Sequence, residues 1–211
     1  KVLSSLRHPY IVKYWESFVD GDLLAIVMDF CDSGDLRDFI AQQRDKQCSI
    51  AEGQIVRWFT ELCLAAKYVH SKNILHRDIK PGNIFLARHE RSRMLCTRLA
   101  DFGIAKVLTD DLAFAQTVIG TPFYLSPEVC DRAPYTCTSD MWALGCVLFE
   151  LCALRVPFAS RDRHLLAVQI VVGDLPQFPS EYSEELASVG NQLFDRDPMR
   201  RPRAAAVLKL P

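Results

Sequence analysis

His76-Arg77-Asp78-Ile79-Lys80-Pro81-Gly82-Asn83-Ile84-Phe85-Leu86 is the stretch from which the rest of the chain is read. It sets an acid, Asp78, two residues before a cation, Lys80, and five before a carboxamide, Asn83. A second acid follows at Asp101, in Asp101-Phe102-Gly103. Both segments read as loops joined to short strands. Two carboxylates, an amide and an ammonium form a set of hard oxygen donors with one positive charge, which suits a divalent cation and its phosphate oxygens.

Upstream, residues 1–6 read as the last turns of a helix, ending before Arg7-His8-Pro9. Two apolar runs, Ile11–Phe18 and Leu23–Phe30, flank Val19-Asp20-Gly21-Asp22 and predict a β-hairpin turning at Asp20-Gly21. Beyond residue 30 the period changes and the chain becomes mostly helical. Asp35–Gln43 is a short helix. Ser49–His70 is the clearest, with Ser49 and Glu52 matching a capping box. Its apolar stripe recurs at Ile55, Trp58, Phe59, Leu62, Ala65, Ala66 and Val69. Ser139–Leu154 is apolar nearly all round and belongs at the centre of a helical lobe. Further helices are expected over Arg163–Val172, Glu184–Phe194 and Arg203–Leu208.

The 211 residues suffice for one sizeable core. A net charge of -1 gives no sign of nucleic-acid attraction, so function must be read from a local site. The longest apolar run, Met141–Leu154, contains Glu150 and is too short to span a bilayer. The eight cysteines include no Cys-x-x-Cys pair, which argues against a zinc site and for a reducing compartment. The chain opens Lys1-Val2-Leu3 without an initiator methionine, which predicts a segment of a longer protein.

Phosphoryl transfer asks a protein for positioning and charge compensation more than for covalent work. Asp78 would accept or orient the proton of an attacking hydroxyl, and Lys80 would offset charge on the γ-phosphate. Asn83 and Asp101 would ligate Mg²⁺. Four motifs in order extend this reading. They are His76-Arg77-Asp78 with Lys80 and Asn83, Asp101-Phe102-Gly103, Gly120-Thr121 through Ser126-Pro127-Glu128, and Ser139-Asp140-x-Trp142 with Asp197-Pro198-x-x-Arg201-Pro202. With them the chain resembles the catalytic domain of eukaryotic protein kinases over essentially its whole length. Lys80, together with Gly120-Thr121-Pro122, resembles the serine/threonine type. Asn83-Ile84-Phe85-Leu86, Ile104-Ala105, Ile119–Glu128 and Trp142–Leu151 are similar to the NIMA-related kinases.

The resemblance implies an α+β, protein-kinase-like fold. Residues 1–28 would be a remnant of the small β lobe, and 29–211 the hinge and the α-helical large lobe. It implies ATP and Mg²⁺ as cofactors, and proteins with Ser or Thr acceptors as partners, without nucleic acid or membrane insertion. The expected location is the cytoplasm, with the nucleus or cytoskeleton as alternatives. Around the nucleotide, Met28 resembles the residue beside the adenine pocket, and Asp29 and Cys31 the hinge. Asp35 would reach the ribose, Phe85 would lie under the adenine and Ala100 would line the pocket. Thr121 would bond Asp78 and Lys80. Glu128 and Arg201 resemble a buried ion pair, and Asp140 a cap for its helix and an anchor for the catalytic loop. Arg77 would hold a phosphorylated Thr117. His76 would be a packed support.

A Gly-rich phosphate loop, a strand lysine and a helix glutamate, which the family possesses, do not occur in these 211 residues. The isolated chain is therefore expected to have little activity while its parent is active. The competing reading is a pseudokinase-like scaffold that uses the large lobe to bind partners.

Overall fold

The computed structural model describes residues 6–88, 94–102 and 122–210. Strands β1 (Tyr14–Asp20) and β2 (Leu23–Met28) pair antiparallel, with Asp20 opposite Leu23. The loop between them is Gly21-Asp22, one residue later than expected. Gly21 sits first in it at φ 60°, the placement a type II′ hairpin turn demands. The expected first strand also starts late. Residues 10–12 leave the hairpin and join the second sheet instead: Val12 N–H donates to Leu99 O at 2.9 Å, and Leu99 N–H to Tyr10 O at 2.9 Å. Leu6 and Ile11 are accordingly buried in the main core.

Helix α1 (Leu36–Asp45) starts at Asp35, whose carboxylate accepts from Asp38 N–H at 2.9 Å. Helix α2 (Glu52–Ser71) buries Ile55, Trp58, Phe59, Leu62, Ala65, Ala66 and Val69, the whole predicted stripe. The expected Ser49–Glu52 capping box does not form. Ala51 is the N-cap, and the Glu52 carboxylate accepts instead from Ser183 N–H at 2.9 Å and from the Ser183 hydroxyl.

A short 3₁₀ turn, Pro81–Asn83, leads into β3 (Ile84–Arg88), which pairs antiparallel with β4 (Leu95–Leu99). After a second 3₁₀ turn, Pro122–Tyr124, come α3 (Pro127–Cys130) and α4 (Cys137–Ala153). Every α4 residue from Thr138 to Cys152 is buried, which puts this helix at the centre of the lobe, as its apolar composition predicts. Helices α5 (Arg163–Val172), α6 (Glu184–Leu193) and α7 (Ala204–Val207) surround it.

The main core gathers α2, the inner faces of β3 and β4, and one side of α4. A second cluster of Trp142, Phe149, Phe158, Leu166, Ile170 and Phe194 fills the other side of α4. The architecture is α+β, as the resemblance implies. The β1–β2 hairpin is different in character: Trp15, Phe18, Val19, Leu23 and Leu24 are all at least half exposed. All eight cysteines are free. Among the described residues no helix is long and apolar enough to cross a membrane.

Candidate active site

The loop before β3 is held from beneath by two buried side chains. His76 is fully buried. Its Nδ1 accepts from Asp78 N–H at 3.2 Å, so the proton sits on Nε2, which donates to Ala100 O at 2.9 Å. The ring also packs 4.6 Å from Phe102. Burial pushes the imidazole pKa down from 6.5, so it stays neutral. With both nitrogens bonded, His76 is a spacer between the loop and the end of β4, not a base.

Asp140 reaches the same loop from α4. Its oxygens accept from His76 N–H and Arg77 N–H, each at 3.0 Å, from His70 Nε2 at 2.8 Å and from Tyr135 OH at 2.5 Å. Burial works to raise its pKa, but the hydrogen bonds from His70 and Tyr135 help to outweigh it and hold the carboxyl below 3.8. The anchoring expected of Asp140 is present. The expected cap is not, because Thr136 is the N-cap of α4 and its N–H donates to Ser139 Oγ. Asp140 lies a turn inside the helix, where its side chain points at the loop. The anchor matters because Arg77 stands at φ 67° and Asp101 at φ 54°, left-handed conformations that cost about 1–2 kcal/mol in non-glycine residues.

On this support the expected group assembles. Asp78 Oδ2 accepts from Lys80 Nζ at 2.8 Å and from Asn83 Nδ2 at 2.9 Å. Asn83 Nδ2 also donates to Asp78 O at 2.8 Å, which fixes the amide and turns its Oδ1 to the other side. Ala100 N–H donates to Asn83 O at 2.9 Å, and the β3–β4 register continues that pairing, so Asp101 follows directly beside Asn83. The exposed Asp101 carboxylate accepts no hydrogen bond among the described residues. The donor set fits a magnesium ion that keeps phosphate and water oxygens. It offers one amide oxygen and one carboxylate, and among the described residues no group of three or more His, Cys, Asp or Glu could hold a metal alone.

Residues 33–35, just past the expected hinge, run along the other edge of β3. Ser33 N–H donates to Leu86 O at 3.2 Å, Leu86 N–H to Gly34 O at 2.9 Å, and Asp35 bridges to Phe85. This lays Ser33 to Asp35 beside Phe85 and Leu86. Burial pushes the half-buried Cys31 thiol upward, away from thiolate reactivity. Met28 is 39% exposed and Ala100 only 2%. The Asp35 carboxylate already caps α1 and pairs with Arg37 at 3.1 Å.

Glu128 and Arg201 form a two-pronged buried pair at 2.8 and 2.9 Å, completed by Ser139 Oγ on Glu128 at 2.6 Å and by Arg201 on Thr138 O at 2.7 Å. Burial acts to raise the Glu128 pKa, but Arg201 and Ser139 prevail and hold it below 4.5. Thr117, Thr121, Gly103 and Gly120 lie outside the described residues.

Three polar side chains escaped the sequence reading. Glu61, buried on α2, accepts from Thr97 N–H at 2.7 Å and from its hydroxyl at 2.9 Å, tying α2 to β4. An acid three residues after Trp58, within the apolar stripe, is the signal that could have found it. Glu150 accepts from Tyr124 OH at 2.7 Å, and burial raises its pKa. Arg98 bonds Asp29, with no local signal.

The protein kinase domain family profile matches residues 1–211. The chain is 46% identical to serine/threonine-protein kinase Nek1 of Mus musculus over 208 residues, covering 99% of the chain and 17% of that relative. It is 43% identical to Nek5 of Mus musculus over 210 residues and 36% identical to Nek11 of Homo sapiens over 211, in each case across 100% of the chain and 32% of the relative. The chain thus spans a third or less of the length of these three relatives. The profile match along the whole chain, and the Asp78, Lys80, Asn83 and Asp101 assembly that coincides with it, place this chain in the protein kinase domain family.

Proposed function

We propose that this chain is the catalytic part of a serine/threonine protein kinase that transfers the γ-phosphate of ATP to Ser or Thr hydroxyls of proteins. The observation that carries the reading is Asp78 Oδ2, bonded at once to Lys80 and Asn83, with Asp101 beside them. Asp78 orients the acceptor hydroxyl and takes its proton. Lys80, shared between Asp78 and the incoming phosphate, offsets charge on the equatorial oxygens. Asn83 Oδ1 and Asp101 would hold a Mg²⁺ ion, which would supply neutralisation of phosphate charge and alignment of the terminal phosphoryl group. The hinge from Asp29 to Cys31 offers backbone groups to adenine over Phe85. The eight free cysteines support a reducing compartment as the place of action.

The test compares the full-length protein with its Asp78→Asn variant on serine, threonine and tyrosine peptides, alongside Mg·ATP binding. Wild type is expected to phosphorylate serine or threonine. Asp78→Asn should bind ATP as well but turn over about 10²–10⁴ times more slowly. Equal turnover in the variant overturns the assignment of Asp78. Wild type that binds ATP without transferring phosphate points to the scaffold reading.

A further inference from the structure

Asp29 ends the β1–β2 hairpin and begins the hinge, and its N–H donates to Lys13 O at 2.9 Å. Both of its carboxylate oxygens are engaged, by different sheets. Trp15 Nε1, from β1, donates to Oδ1 at 2.8 Å. Arg98 Nη1, from β4, donates to Oδ2 at 3.0 Å. Lys13 Nζ lies 3.1 Å over the Trp15 ring and fixes the indole further. One carboxylate therefore ties the β1–β2 hairpin to the hairpin that positions Asn83 and Asp101.

Arg98 is also the cross-strand partner of Phe85, whose ring is the expected adenine platform, so the tie and the platform share one strand pair. The Arg98 and Asp29 side chains are 25% and 26% exposed, too enclosed for full screening by solvent. Arg98 uses a single Nη for Asp29, and its buried Nε has no partner among the described residues. A one-point contact of this kind opens and re-forms more readily than a two-pronged fork.

We propose that Asp29, Arg98 and Trp15 form a polar latch across the hinge, which sets how the β1–β2 hairpin stands over the nucleotide site and so tunes ATP affinity. The latch rests on the nucleotide reading of that site. Arg98 and Trp15 touch no reacting atom; they are positioning residues.

The experiment titrates the full-length protein with Mg·ATP by calorimetry and follows peptide kinetics for wild type, Arg98→Ala, Arg98→Lys and Trp15→Phe. Arg98→Ala should weaken ATP binding and raise the KM for ATP about fivefold while kcat stays within about twofold, the scale of one partly screened ion pair. Arg98→Lys keeps the cation and should recover most of the loss. Trp15→Phe keeps the ring, loses the N–H and should weaken binding by a smaller factor. ATP affinity unchanged in Arg98→Ala overturns the latch, as does Arg98→Lys performing no better than Arg98→Ala, which would mark a packing role. Wild type that binds no Mg·ATP overturns the nucleotide reading and the latch together, whereas wild type and variants binding alike sinks the latch alone.

Discussion

Asp140 gathers four donors onto two oxygens, from His70, His76, Arg77 and Tyr135, in a site with no exposure. Removing the carboxylate takes this acceptor from the buried His76 N–H and from the half-buried Arg77 N–H, the latter on a residue at φ 67°. Stripping a buried charge from its partners costs about 3–5 kcal/mol. Asp140→Ala is therefore expected to destabilise by about that much, and Asp140→Asn by about 1–3 kcal/mol because one oxygen survives. The shift in urea midpoint at constant slope is the measurement; a shift under about 1 kcal/mol for Asp140→Ala would show that the loop does not depend on this anchor. At this scale the sequence was most legible where chemistry is local. Asp78, Lys80 and Asn83 lie within six residues, and their side chains meet as their spacing suggests. Asp140 meets its loop from 63 and 64 residues away, and only the family resemblance pointed there.

Between elements, a close approach limits side-chain size where α4 crosses α6. A Cβ added to Gly145 would stand 2.9 Å from Leu193 Cβ and 3.5 Å from the Phe194 ring. Two effects oppose each other in Gly145→Ala. Helix propensity alone would favour alanine by about 1 kcal/mol, whereas overpacking a filled core costs about 1–3 kcal/mol. The near atom is a Cβ, fixed to its backbone, so α6 itself would have to move and overpacking should win. The expected result is a net loss of up to about 2 kcal/mol, read as a lowered melting temperature; a variant more stable than wild type would mean that the helices separate freely. Helices α2 and α4 were legible because their apolar patterns run for several turns. The Ser49–Glu52 box misled because a four-residue signal competes with tertiary partners, and Ser183 offers Glu52 two donors at the start of α6. The first strand misled because Ile11 and Val12 are as apolar as a hairpin strand, yet their backbone pairs with Leu99.

Across the whole molecule, the buried titratable groups divide acid sensitivity into two ranges. His76 has its pKa lowered from 6.5 by burial, so below that pH the unfolded chain takes up a proton that the folded protein refuses. Stability must therefore fall as pH drops through 6.5 and be level above it. His8, less buried, shifts in the same direction. Asp140 and Glu128 have folded pKa values below 3.8 and 4.5, so their contribution is complete above those values and is lost only as pH falls beneath them. Between about pH 7.5 and 5.5 the imidazole alone therefore predicts a loss of stability. The check is urea unfolding at about pH 7.5, 5.5 and 3.5, in wild type and in His76→Gln. Wild type should lose stability in both intervals. His76→Gln starts from a lower stability, but its first interval should be flatter than in wild type while the second persists. If both proteins fall equally between the first two pH values, the imidazole between Asp78 and Ala100 is charged in the folded state, and the neutral spacer beneath the Asp78 loop is the wrong picture.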